Sequence, residues 1–285
     1  MFSALKQAIK SQRSAPELQA NILAGLTVGI IALPLSMALA IATGVPPQHG
    51  LYTAIIAGIV IALSGGSSVN VSGPTAAFVV ILLPIVHQYG LGGLLVSGML
   101  AGFILLAMGL LRLGKFIELI PYPVTVGFTA GIGAVIAVLQ IVDFLGLHIT
   151  QSSEHFIGKV GAIFGALPSL RWQETLIASS TLCVLLLWPK AKSRIPGHLI
   201  ALLAGSVLAW LLTHYLPGFS VATIGSRFHH MIDGVQAAGI PSALPAFALP
   251  WQLPDAQGRP IGISFELIRQ LAAPALTIAI LGALE

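Results

Sequence analysis

Long apolar runs alternate with short polar breaks along this chain, and the breaks carry most of its charge. Ala20–Ala42 is the first such run, 23 residues, against the ~20 residues that cross a hydrocarbon core. The same reasoning places span 1 at about 21–42, span 2 at 50–63, span 4 at 91–111, span 5 at 116–140, span 6 at 174–188 and span 7 at 197–215. Pro34 lies past the middle of span 1 and should interrupt its hydrogen bonding. Pro46-Pro47-Gln48-His49-Gly50 is a tight turn between the first two spans. An eighth span is approached through 264–273, where Glu266 and Arg269 lie one turn apart, and its buried part opens at Pro274. The pattern predicts an all-α polytopic membrane protein.

Span 3 breaks the rhythm. Residues 64–73 are small and mostly polar, then the chain turns apolar at Pro74-Thr75-Ala76-Ala77-Phe78. Pro74 suits a first helical turn and Ser72 is a ready N-cap, so a helix should begin there. From Pro74 to His87 is 13 residues, about 20 Å at the helical rise, too short for a core of roughly 30 Å. Residues 68–72 alternate small polar residues with Val like a strand, and such backbone survives at membrane depth only when it is buried or lines a cavity. Two readings stand on these residues alone. One is a short strand followed by a half-helix whose free N–H groups and partial positive charge suit an anion; the other is a Ser/Gly-rich turn before a slightly short helix.

Composition agrees with the spans: 56% of the 285 residues are apolar and only 8% charged, with a mean hydropathy of +0.96, where a soluble domain has about 25% charged residues. The net charge of +4 does not point to nucleic acid, because the bases form short clusters without interleaved aromatics. Topology accounts for them. With the N-terminus in the cytoplasm, Lys6, Lys10, Arg13, Arg112, Lys115, Lys190, Lys192 and Arg194, 8 of the 13 bases, fall in short cytoplasmic segments. Lys159, Arg171, Arg227, Arg259 and Arg269 fall in or beside the long outer connections, 141–173 and 216–263. Residues 1–16 form a short basic amphipathic piece suited to the membrane surface. An export signal is the rival reading of the N-terminus, but a run of 23 residues exceeds a signal core of roughly 7–15. Cys183 is single and sits in an apolar run, which suits packing rather than a disulfide or metal.

Gly50-Leu51-Tyr52 and Ser72-Gly73-Pro74-Thr75-Ala76, within 46–82, resemble the signature region of the SulP anion permeases, and are most similar to their bacterial C4-dicarboxylate branch. The resemblance decides for the half-helix in span 3. It implies a first inverted repeat of seven spans within 17–216, an extracytoplasmic connection over 217–263, and the start of span 8 over 264–285. The second repeat and the cytoplasmic STAS domain of that family would then be absent from this chain. It further implies a secondary transporter in the bacterial inner membrane, a homodimer at full length, that carries dicarboxylates such as succinate, fumarate or aspartate. Sulfate or bicarbonate is the alternative substrate class, and an anion channel or a membrane sensing protein the alternative function.

Candidate substrate-binding residues are Ser72, Gly73, Pro74, Thr75 and Ala76 at the start of the half-helix, with Leu35 and Ser36 on span 1. Leu35 stands where the resembled family usually has Gln, a loss of hydrogen bonding that suits a compact oxyanion less well. Ser36 is as well suited to helix packing as to binding. Glu285 lies 11 residues beyond Pro274, about 17 Å and so near the middle of a roughly 30 Å core, where an ionisable group is a functional candidate. Leu281-Gly282-Ala283-Leu284-Glu285 resembles the family's eighth-span motif, which implies coupling to a proton, with sodium possible. No nucleotide loop, metal spacing or Ser-His-Asp set supports an enzyme or a cofactor. His229-His230 read as solvated, His87 and His214 as polar tips at span ends, and Asp143 as an interfacial residue.

Overall fold

The computed structural model describes residues 15–65, 73, 75–114, 121–149, 156–191, 193, 195–232 and 235–284. Among these the helices are α1 (Ala15–Ala42), α2 (Pro47–Ser64), α3 (Val79–Leu110), α4 (Tyr122–Phe144), α5 (Phe156–Ala166), α6 (Trp172–Leu187), α7 (Gly197–Tyr215), α8 (Ile224–Arg227) and α9 (Phe265–Leu284). A 3₁₀ turn, Ala76–Phe78, leads into α3, and β1 (His229–Ile232) pairs antiparallel with β2 (Val235–Ala238). Among the described residues, six helices are long and apolar enough to cross a membrane. Their surfaces are lined with exposed Leu, Ile, Val and Phe, as expected where lipid replaces water as the solvent.

Several boundaries differ from the sequence expectation. Pro16 lies in the first turn of α1, where a missing N–H costs nothing; the rest of the expected basic surface piece lies outside the described residues. α1 then continues through Pro34 to Ala42 without ending there. The sixth predicted span is a 16-residue α6 prolonged by the 3₁₀ turn Trp188–Ala191. α9 is one helix from Phe265 through Pro274, and Leu267 and Leu271, in the expected approach to span 8, belong to the core. The predicted strand at 68–72 lies outside the described residues; the pairing that is present, at 229–238, was not foreseen.

Spanning helices here hold several hydroxyls that bond back to the carbonyl one turn earlier: Thr27 to Leu23 (2.8 Å), Thr53 to His49 (2.8 Å), Thr129 to Thr125 (2.9 Å) and Thr277 to Ala273 (2.9 Å). Each polar side chain is thereby satisfied within its own helix.

The chain divides into two compact units. The first comprises Met1–Leu35, Ile59–Val71 and Ile136–Ser242. Within it α6 packs on α7, closely enough that a Cβ on Gly205 would strike the Thr181 hydroxyl. A polar cluster ties its connecting loops to the helix ends. Arg171 pairs with Glu174 (3.3 Å) and donates to the Ser220 carbonyl (3.1 Å); Glu174 accepts from the Ala222 N–H (2.8 Å); Arg227 pairs with Asp143 (2.9 Å). Thr223 and Ser226 form a reciprocal capping box at α8.

The second unit comprises Ser36–Gly58, Ser72–Val135 and Ala243–Glu285. Its centre is the packing of α9 on α3. Leu267, Leu271, Ala275, Ile278 and Ala279 recur at three- and four-residue spacing on α9, the period that gathers one helix face. They meet Ile85, Val96 and Ala101 of α3, and Leu271, Ala275 and Ala279 are completely buried. Small residues at two of these places let the helix axes approach.

Candidate functional site

The start of the predicted half-helix falls in the second unit. Thr75 is extended (φ −116°, ψ 137°), Ala76–Phe78 make one 3₁₀ turn, and the α-helix proper follows from Val79. α3 is not one rod. Gly90 has φ 67° and ψ −165°, so the helical path breaks into arms of 79–89 and 91–110. An 11-residue first arm is about 16 Å long, short of a roughly 30 Å core, which agrees with the short third span expected from the sequence.

Of the eight residues proposed from the sequence, Gly73, Thr75, Ala76, Leu35 and Ser36 are described; Ser72, Pro74 and Glu285 lie outside the described residues. Gly73 is exposed, and a Cβ built on it meets no atom of the described residues within 4 Å. Ser36 is 1% exposed. Its backbone carbonyl lies where a Cβ on Gly50 would fall, which places Ser36 at the packing contact of α1 with α2. Leu35 is 45% exposed.

Two residues outside the proposed set join the start of α3 to the end of α9. A Cβ on Gly282 would stand 3.6 Å from Phe78 Cζ and 3.8 Å from Leu105 Cδ1, ordinary contact distances. The 3₁₀ turn that leads into α3 therefore lies beside the last turn of α9, where Gly282 stands three positions before Glu285 in the sequence. Phe78 reads in sequence as one more apolar residue, and nothing local marks it as the bridge. Gly282 was part of the quoted motif, but its use as a gap for an aromatic edge depends on the α3–α9 packing.

A concavity of about 640 Å³ belongs to the first unit, where α6, α7 and residues 221–224 meet. Asp143, Glu174, Thr181 and Trp210 are among its lining residues, and none of the proposed site residues is. Both carboxylates are already paired with arginines. His230 Nδ1 donates to the Gly239 carbonyl (3.0 Å) beside the hairpin. Among the described residues no three His, Cys, Asp or Glu side chains converge as a metal site would require.

Apolar helices of spanning length, a broken third span and a small-residue helix face packed against it define a multi-pass membrane protein. Residues 18–285 match the Sulfate permease family, and the chain belongs to that family. It is 41% identical over 267 residues to "Putative sulfate transporter YvdB" of Bacillus subtilis (strain 168), covering 94% of this chain and 46% of that one. It is 31% identical over 205 residues to the bicarbonate transporter BicA of Picosynechococcus sp., covering 68% of this chain and 36% of that protein. In three dimensions it resembles the transmembrane domain of a cyanobacterial bicarbonate transporter BicA, with a TM-score of 0.71 at 29% identity, over 94% of this chain and 63% of that chain. The chain thus spans less than half the length of these curated relatives.

Proposed function

We propose that this chain forms the anion-handling half of a secondary transporter for a small inorganic oxyanion, sulfate or bicarbonate. The observation that carries the reading is the broken α3, whose first arm starts beside Gly282 of α9. A helix start presents several unpaired N–H groups together with partial positive charge, which suits an oxyanion without any cationic side chain. Sulfate and bicarbonate replace the C4-dicarboxylates of the sequence expectation, since the matched relatives are named as sulfate and bicarbonate transporters.

In this reading Ser72, Gly73, Pro74, Thr75 and Ala76 bind the anion, Ser36 and Leu35 shape the neighbouring span, and Glu285 couples transport to a proton. The protein resides in a bacterial inner membrane with its N-terminus in the cytoplasm, the first seven spans form one inverted repeat, and the full-length protein is a homodimer. Uptake of labelled sulfate, bicarbonate and succinate into proteoliposomes carrying the full-length protein tests the substrate class. Concentrative uptake of sulfate or bicarbonate is expected. Mere equilibration would indicate a channel, no movement a sensing protein, and succinate accumulation the dicarboxylate class. The site itself is tested by Gly73→Val: no described atom opposes the added side chain, so folding should hold while anion affinity by calorimetry falls. Unchanged affinity would remove the half-helix start from the site.

A further inference from the structure

The break in α3 is occupied. A Cβ on Gly90 would stand 2.6 Å from the Asp255 carbonyl oxygen and 2.7 Å from the Ala256 nitrogen; one on Gly92 would stand 2.7 Å from Ile261 Cγ2 and 2.8 Å from the Leu253 carbonyl oxygen. The Gly92 N–H donates to the Pro254 carbonyl (2.9 Å). The loop that presses on the break is internally closed: Ile261 N–H donates to Leu253 (3.0 Å), Gly262 N–H to Trp251 (2.9 Å), and Asp255 N–H to Arg259 (2.7 Å). Asp255 holds its tip together, because one carboxylate oxygen accepts from both the Gln257 N–H (2.8 Å) and the Arg259 N–H (2.9 Å).

That loop runs directly into α9. The Ser264 hydroxyl accepts from the Leu267 N–H (3.1 Å) at the start of the helix, and Leu267 and Leu271 then enter the core against α3. The first arm of α3 is consequently held at both ends by one continuous stretch of chain. Phe78 rests near Gly282 at its start, and residues 90–93 rest under the 251–262 loop at its end.

We propose that the 251–262 loop is a positioning clamp for the half-helix that binds the anion, with Asp255 the positioning residue that keeps the clamp in shape. The proposal rests on the functional reading above. Its lever is geometric: a 10° tilt of an arm about 16 Å long would carry its first amides by about 3 Å, a displacement as large as a hydrogen bond. The field at a helix start falls off within a turn, so such a shift removes most of the attraction for an oxyanion.

The test compares Asp255→Ala with Asp255→Asn in the full-length protein reconstituted in liposomes. An Asn side-chain oxygen can still accept both N–H groups, whereas Ala accepts neither. Asp255→Ala should raise the apparent KM for sulfate or bicarbonate about tenfold while the maximal rate stays within about twofold, and Asp255→Asn should stay near wild type, the pattern of weakened binding without loss of turnover. An unchanged KM in Asp255→Ala, or an Asn variant as impaired as the Ala variant, would overturn the clamp. If the wild-type protein moves neither anion, the functional reading fails, and the clamp is judged by hydrogen exchange of the amides at 79–89. Faster exchange in Asp255→Ala but not in Asp255→Asn then upholds it, and equal exchange in all three rejects it.

Discussion

Adding one methyl group at two glycines of α2 should move stability in opposite directions. A Cβ on Gly50 would fall on the Ser36 carbonyl, 2.8 Å from its carbon and 2.9 Å from the Ala40 Cβ. Carbon atoms prefer a separation of about 3.5–4.0 Å, so α1 and α2 would have to part by nearly 1 Å. Ser36 is 1% and Ala40 6% exposed, which leaves neither residue free space to retreat into. Overpacking of this kind costs about 1–3 kcal/mol. A Cβ on Gly58, a little over two turns along the same helix, meets nothing within 4 Å. There the change to Ala should gain roughly 0.5–1 kcal/mol from helix propensity. Thermal unfolding midpoints of the two variants in one detergent, each against wild type, provide the assay: Gly50→Ala should melt lower and Gly58→Ala equal or higher. Two midpoints that shift together, or a Gly50→Ala protein as stable as wild type, would show that the α1–α2 contact is looser than its geometry implies.

Three further outcomes are expected. Leu271→Ala, at a completely buried position, should cost about 1–3 kcal/mol in detergent unfolding, less than the 2–5 of a water-soluble core because only packing and not transfer from water is lost; no change would remove it from the α3–α9 core. Asp143→Asn breaks a pair whose side chains are both about half exposed, so the same measurement should move by less than about 1 kcal/mol; a larger loss would mean that the pair is shielded from solvent. Glu285→Gln in the full-length protein should leave anion exchange intact while a pH gradient no longer drives accumulation; continued uphill uptake would place the coupling group elsewhere.

The helical plan and the odd third span were legible in the sequence because both depend on local pattern: apolar run length, and the switch from Ser/Gly to Pro-Thr-Ala-Ala-Phe. The far end of the half-helix was legible too, since the apolar run from Pro74 ends at His87, close to the break at Gly90. What escaped was long-range. Gly90, Gly92 and Gly93 could be seen as a cluster, but not that the carbonyls of 253–255, more than 150 residues later, fill the space they leave. Pro34 and Pro274 each lie within a continuous helix, which runs on past the one backbone bond that a proline cannot make. Leu267 and Leu271 stand beside Glu266 and Arg269 in sequence, and only the α3–α9 packing shows that their shared face is part of the core. The C4-dicarboxylate expectation rested on the short stretch 46–82, with Leu35 in place of Gln as support, and neither outweighs the similarity of the whole chain to sulfate and bicarbonate transporters.

The hydroxyls that turn back onto their own helices bear on how such a chain enters a membrane at all. Residue-by-residue hydropathy charges Thr27, Thr53, Thr129 and Thr277 as polar, yet each has its donor already engaged by a carbonyl one turn earlier. A threonine in that state offers lipid mainly its methyl group, and its cost of partitioning from the translocon approaches that of valine. Spans that look only moderately apolar on paper can then insert as readily as richer ones. Replacing such a threonine with Asn, whose amide cannot be fully satisfied by a single carbonyl, should raise the insertion penalty far more than the similar polarity of the two residues would suggest.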